Sequence, residues 1–106
     1  MLKTIIVDDD VFYHTNLKQL IAWEAEGFII SGTAVSGAEA LRLMATITPD
    51  LLITDMSMPG LNGVNLIRQA LEKFPQLKVI ALSAYEDFEY VKQSLKMGAA
   101  DYLLKH

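Results

Sequence analysis

The chain reads as an α/β domain, a doubly wound parallel sheet of five strands with helices on both faces. Three observations predict this. Short β-branched runs alternate with stretches of helical apolar spacing along the whole chain, and the connections are short enough to demand βαβ units. Polar or charged residues also follow directly on the strands, as they do where strands open into a crevice at their carboxyl ends.

Taken in order, Thr4-Ile5-Ile6-Val7 is the first strand and stops at Asp8-Asp9-Asp10. From Val11 the spacing turns helical, with Leu17, Leu20 and Ile21 on one side, Trp23 packed on this helix and Gly27 as its stop. Phe28-Ile29-Ile30 and Gly32-Thr33-Ala34 form the second strand. Ser36 and Glu39 have the spacing of a capping box, and Ala40, Leu41, Met44 and Ile47 are the stripe of the helix it opens, closed by Pro49. Leu51-Leu52-Ile53-Thr54 is a buried strand that runs straight into Asp55, with a turn at Pro59-Gly60. A helix from about Asn62 carries Leu66, Ile67, Ala70, Leu71 and Phe74 inward and ends at Pro75. Leu77 to Leu82 is the fourth strand, followed by Ser83. Phe88, Val91 and Leu95 recur at helical spacing before a stop at Gly98, and Tyr102-Leu103-Leu104 is the fifth strand, followed by Lys105.

Composition narrows the function classes. At 106 residues, 52% of them hydrophobic, this is one domain with a real core rather than a disordered tail. A net charge of −4 argues against this segment gripping a nucleic-acid backbone, so any DNA contact falls to another part of the protein. With no cysteines there is no disulfide framework or thiolate zinc site, and no apolar run approaches a membrane span. A cytoplasmic domain is expected.

Five strands suit the flavodoxin-like order 2-1-3-4-5, which sets the end of the first strand beside the end of the third. Asp8 and Asp9 then converge on Asp55, and carboxylates so gathered need a proton or a cation between them. With only oxygen ligands on offer the cation is hard, and Mg²⁺ with retained waters is the natural choice. Ser83 and Lys105 end the fourth and fifth strands at the same rim. A hydroxyl, an ammonium and a divalent metal around one aspartate are what a transferring phosphoryl group requires, with Asp55 as nucleophile.

The set Val7-Asp8-Asp9-Asp10, Asp55-Met56-Ser57-Met58-Pro59-Gly60-Leu61-Asn62-Gly63, Ser83-Ala84 and Tyr102-Leu103-Leu104-Lys105 resembles the receiver domains of two-component response regulators over essentially the whole chain. The resemblance implies that Asp55 takes a phosphoryl group from the phosphohistidine of a sensor histidine kinase. It further implies that Asp9, Asp55 and the Ser57 backbone carbonyl ligate Mg²⁺ directly, with Asp8 reaching it largely through water. Ser83 would bond the phosphoryl oxygen, Lys105 pair with the phosphate, and Tyr102 report the movement of Ser83, while the small Ala84 leaves the site open to water. Phe88, Tyr90, Lys92 and Lys96 form the implied output face, through which phosphorylated copies pair as homodimers. Such a domain is regulatory rather than an enzyme, although it promotes its own phosphorylation and dephosphorylation. Ser83 to Tyr90 also resembles regulators whose output domain is an AraC-type helix-turn-helix. Two departures accompany the resemblance: His106 stands where the family has proline, and the family's fifth helix lies outside the chain, which leaves an apolar strip along the first and fifth strands that favours self-association.

Plainer readings stand beside these. An acidic triplet suits a helix cap, Ser83 a turn, Lys105 a surface charge, and Tyr102 or Tyr90 half-buried packing. His14 and His106 have no partner at metal-ligand spacing and are expected at the surface. Asp8-x-Asp10-Val11 also fits the nucleophile motif of haloacid-dehalogenase-like phosphatases, but the later acidic pair and cap domain of that class are not visible. A flavin-binding module would want a glycine-rich phosphate loop where three carboxylates stand. A contact-only pseudo-receiver would not need the five polar residues all present here.

Overall fold

The computed structural model describes residues 1–58, 60–83 and 88–104, and of Leu20, Phe88, Tyr90, Val91, Ser94 and Leu104 only the backbone. The elements are β1 (Leu2–Val7), α1 (Val11–Leu20), a 3₁₀ turn (Glu24–Glu26), β2 (Phe28–Ala34), α2 (Gly37–Ile47), β3 (Leu51–Asp55), α3 (Gly63–Lys73), β4 (Lys78–Ser83), α4 (Phe88–Lys96) and β5 (Asp101–Leu104). All pairings are parallel and the strand order is β2-β1-β3-β4-β5, the flavodoxin-like arrangement expected.

The side chains of the central strands alternate between two cores, as the pleat requires. Ile5, Val7, Leu52, Val79 and Ala81 pack against Ala40 and Met44 of α2 and Leu66, Ile67 and Ala70 of α3. On the other face Ile6, Leu51, Ile53 and Leu82 meet Leu17 and Trp23. The two loop methionines beside Asp55, Met56 and Met58, are buried in the first core. β2 carries one extra residue, Ser31, between the pairs Thr4–Ile30 and Ile5–Gly32, a bulge on the edge strand.

Helix ends follow the local chemistry. The Ser36 hydroxyl accepts from the Glu39 N–H at 3.2 Å, and Glu39 reaches back to the N–H of Val35 rather than to that of Ser36. Asn62 Oδ1 accepts from the Asn65 N–H at 3.1 Å and opens α3. The first helix departs from expectation. It ends at Leu20, Ile21 is extended and 38% exposed, and Gly27 (φ +89°) closes the 3₁₀ turn instead. Trp23 explains the break: its indole N–H donates to the Leu17 carbonyl at 3.0 Å, one of the orphan acceptors of the last helical turn, and its ring meets Phe28 edge-on. An aromatic anchor thus stops the helix seven residues before the glycine that composition points to.

Candidate functional site

The parallel register of β1 and β3 pairs Val7 with Thr54, so the next residue on each strand, Asp8 and Asp55, emerges at one rim of the sheet. Asp9 joins them: one carboxylate oxygen from each of the three lies within 4.8 Å of the others. Asp8 and Asp55 are buried, Asp55 at 3% exposure, while Asp9 is exposed. The backbone around them is tied down. The Asp8 N–H donates to the Ala34 carbonyl at 3.0 Å, and Asp8 Oδ1 accepts from the Asp10 N–H at 2.8 Å. Asp55 Oδ1 accepts from the Ser57 N–H at 3.3 Å, and the Asp55 carbonyl accepts from the Thr54 hydroxyl at 2.9 Å.

The N-terminus of α3 presses on this loop. The Gly63 N–H donates to the Met56 carbonyl at 3.1 Å, and the Met56 N–H to the Leu82 carbonyl at 3.0 Å. A Cβ on Gly63 would stand 2.6 Å from both the Asp55 carbonyl oxygen and Met56 Cα. Glycine is therefore what lets the helix approach the backbone that carries Asp55.

Like charges so close repel by about 1 kcal/mol per pair at 4 Å in bulk water, and by several times that where water is partly excluded. A divalent cation removes the conflict, and the donor set fits a hard one: the three carboxylates offer only oxygen. The exposure of Asp9 keeps one side of the cluster open to the waters that Mg²⁺ retains.

The acidic triplet divides its labour. Asp10 takes no part in the cluster and is the N-cap of α1, its Oδ1 accepting from the Phe12 N–H at 3.0 Å. Ser83 is buried at the end of β4, one residue beyond Leu82, the register partner of Asp55. β5 pairs Leu104 with Ser83, so the chain leaves β5 at the same rim. Lys105 and Ala84 lie outside the described residues, as do the side chains of Phe88 and Tyr90. Tyr102 pairs with Ala81 and is 41% exposed; Ser57, Lys92 and Lys96 are exposed.

His14, expected at the surface, is buried, and its Nε2 lies 2.8 Å from the Asp8 carbonyl oxygen. The signal was its position one turn after the N-cap, because helical side chains lean back over the preceding turn, here toward the aspartates.

A model of the family described as "Response regulator receiver domain" matches residues 4–106. The transcriptional regulatory protein HptR of Staphylococcus aureus is 42% identical over 105 residues, which are 99% of this chain but 41% of that relative, so the chain spans less than half its length. A two-component transcriptional regulator AraC from Clostridium phytofermentans superimposes with a TM-score of 0.90 at 33% identity, over 99% of this chain and 81% of that one. The structure of a CheX–CheY–BeF₃–Mg²⁺ complex from Borrelia burgdorferi gives a TM-score of 0.87 at 31% identity, over 99% of this chain and 78% of that one. A family match over nearly the full chain and a strand order that brings the acidic residues to one rim agree: the chain belongs to the response regulator receiver domains of two-component systems.

Proposed function

We propose that Asp55 is the phosphoacceptor of this regulatory domain, taking the group from the phosphohistidine of a sensor histidine kinase in a Mg²⁺-dependent reaction. The observation that carries this reading is the gathering of the Asp8, Asp9 and Asp55 oxygens within 4.8 Å. An Asp55 oxygen bonds to phosphorus as the donor's N–P bond breaks, and the electron pair stays on the imidazole nitrogen, which leaves as neutral imidazole when the other ring nitrogen is protonated. Asp9, Asp55 and the Ser57 carbonyl would hold the metal, with Asp8 reaching it through water. When bound, Mg²⁺ neutralises the acidic groups and the oxygens of the transferring phosphoryl group. Ser83 and Lys105 supply the hydroxyl and the ammonium for those oxygens, and Ala84 admits water and small phosphodonors.

The signal then travels by side-chain movement. Ser83 is drawn to the phosphoryl oxygens and Tyr102 swings into the space it leaves. The exposure of Tyr102 supports the outward position as the resting one. Phe88, Tyr90, Lys92 and Lys96 form the face that pairs two phosphorylated copies and brings their output domains together. The Clostridium relative and the Ser83–Tyr90 stretch support an AraC-type output domain, which would carry the DNA contact that a domain of net charge −4 does not invite. In this reading residues 1–106 are the receiver, a fifth helix and the output domain follow in the longer protein, and the regulator works in the cytoplasm.

The test is incubation with Mg²⁺ and acetyl phosphate, followed by intact-mass measurement. A gain of one phosphoryl group, absent in Asp55→Asn, is expected. A gain that persists in Asp55→Asn and maps to Asp8 overturns the assignment in favour of the phosphatase-type nucleophile.

A further inference from the structure

The carbonyl of Asp8 lies beyond the last strand pairs, Val7–Ala34 and Val7–Thr54, and before the N-cap of α1 at Asp10. Neither the sheet ladder nor the helix therefore orients it. What meets it is the buried imidazole of His14, with Nε2 at 2.8 Å. A carbonyl oxygen only accepts, so Nε2 carries the hydrogen and donates it.

That oxygen belongs to the peptide unit joining Asp8 to Asp9. The unit is planar, so anchoring its oxygen sets ψ of Asp8 and φ of Asp9 together, and with them the directions in which the two carboxylates leave the backbone. The other Asp8 anchors act elsewhere: its N–H is held by Ala34, and its Oδ1 by the N–H of Asp10. Among the described residues, His14 holds the link between the two acidic residues.

We propose that His14 is a positioning residue for the metal-binding pair Asp8 and Asp9: by holding the peptide between them it presets the acidic cluster for Mg²⁺. The proposal rests on the reading of that cluster as a Mg²⁺ site. Groups that orient metal ligands from behind commonly account for tenfold or more in affinity, and a histidine that donates to a ligand's backbone acts in the same way.

The test compares the intact protein with His14→Leu, His14→Asn and His14→Gln by Mg²⁺ titration calorimetry. Leucine fills the space without a donor, asparagine keeps an amide that stops short, and glutamine places its Nε2 near the position of the imidazole Nε2. The Leu and Asn variants should bind Mg²⁺ about tenfold more weakly and the Gln variant within about twofold of the parent. At saturating Mg²⁺ the acetyl phosphate rate should return toward the parent's in all three, a split that general loss of structure would not produce. Parent-like affinity in the Leu or Asn variant overturns the proposal, as does a Gln variant as weak as Leu; if Leu does not fold, the Asn and Gln pair decides. On the unaltered protein, the NMR resonance of the His14 Nε2 proton should move on Mg²⁺ addition, and no movement counts against the proposal even if every variant misfolds. A parent that binds no Mg²⁺ removes both readings, whereas a parent that binds it with indifferent variants removes only this one.

Discussion

Single residues show how narrowly the polar groups of this sheet are placed. Thr4 is fully buried on β1, and its hydroxyl has no hydrogen-bond partner among the described residues. A buried hydroxyl left unpaired costs about 1–3 kcal/mol. Thr4→Val keeps the β-branched shape that suits the strand and removes the hydroxyl, so it should raise the unfolding free energy by about 1 kcal/mol, read as a higher denaturant midpoint with unchanged slope. A loss of stability would mean that the hydroxyl has a partner in solution. The contrast with Asp8 is instructive, because a buried polar residue on β1 and one just past its end have opposite roles. The carboxylate of Asp8 gains Asp9 and Asp55 as neighbours and a backbone donor in Asp10, whereas none of the described residues reaches the Thr4 hydroxyl.

At the scale of elements, the site depends on helix termini set against strand ends. α3 begins where Asn62 caps it and Gly63 touches the backbone of Asp55 and Met56. Gly63→Ala would drive a methyl group into that backbone, which cannot turn aside as a flexible side chain can. The expected cost is about 1–3 kcal/mol, with slower phosphorylation of Asp55 by acetyl phosphate than in the parent. Parent-like stability and rate would show that the helix can back away freely. α1 makes the matching point on the other side of the site. Its start is fixed by Asp10, its first turn brings His14 to the Asp8 carbonyl, and its end is fixed by Trp23 on the Leu17 carbonyl.

For the whole molecule, the two sheet faces are unequally covered. α2 and α3 seal one core, but the other relies on α1 and Trp23. Beside α1 an apolar cavity of about 260 Å³ is lined by Leu17, Ile21, Trp23, Ile53, Ile80 and Leu103, and Leu103 is 47% exposed. The exposed apolar residues of the first and fifth strands include Leu2 at 48% and Leu103, while Ile6 further along β1 is fully buried. A chain ending at residue 106 should self-associate through this face, and Leu103→Gln should weaken the association about tenfold, since burying a leucine is worth about 1.5 kcal/mol or more. Sedimentation showing a monomer at high concentration would count against it. Among the described residues, no helix is long and apolar enough to cross a membrane.

Much of this was written in local order. The alternation of strand and helix, the caps at Ser36 and Asn62, and the carboxylates on the strand ends all follow from periodicities and spacings within a dozen residues, and parallel βαβ units then leave few topologies to choose from. What only the tertiary structure decided depends on contacts between residues whose spacing carries no signal of its own. The burial of His14 behind Asp8, the halt of α1 at Leu20 and the approach of Gly63 to Asp55 are of this kind. The physical reason is that propensity and periodicity act along the chain, whereas a donor finding its acceptor, or a helix finding room beside a strand end, is settled in three dimensions by whichever arrangement leaves the fewest buried groups unpaired.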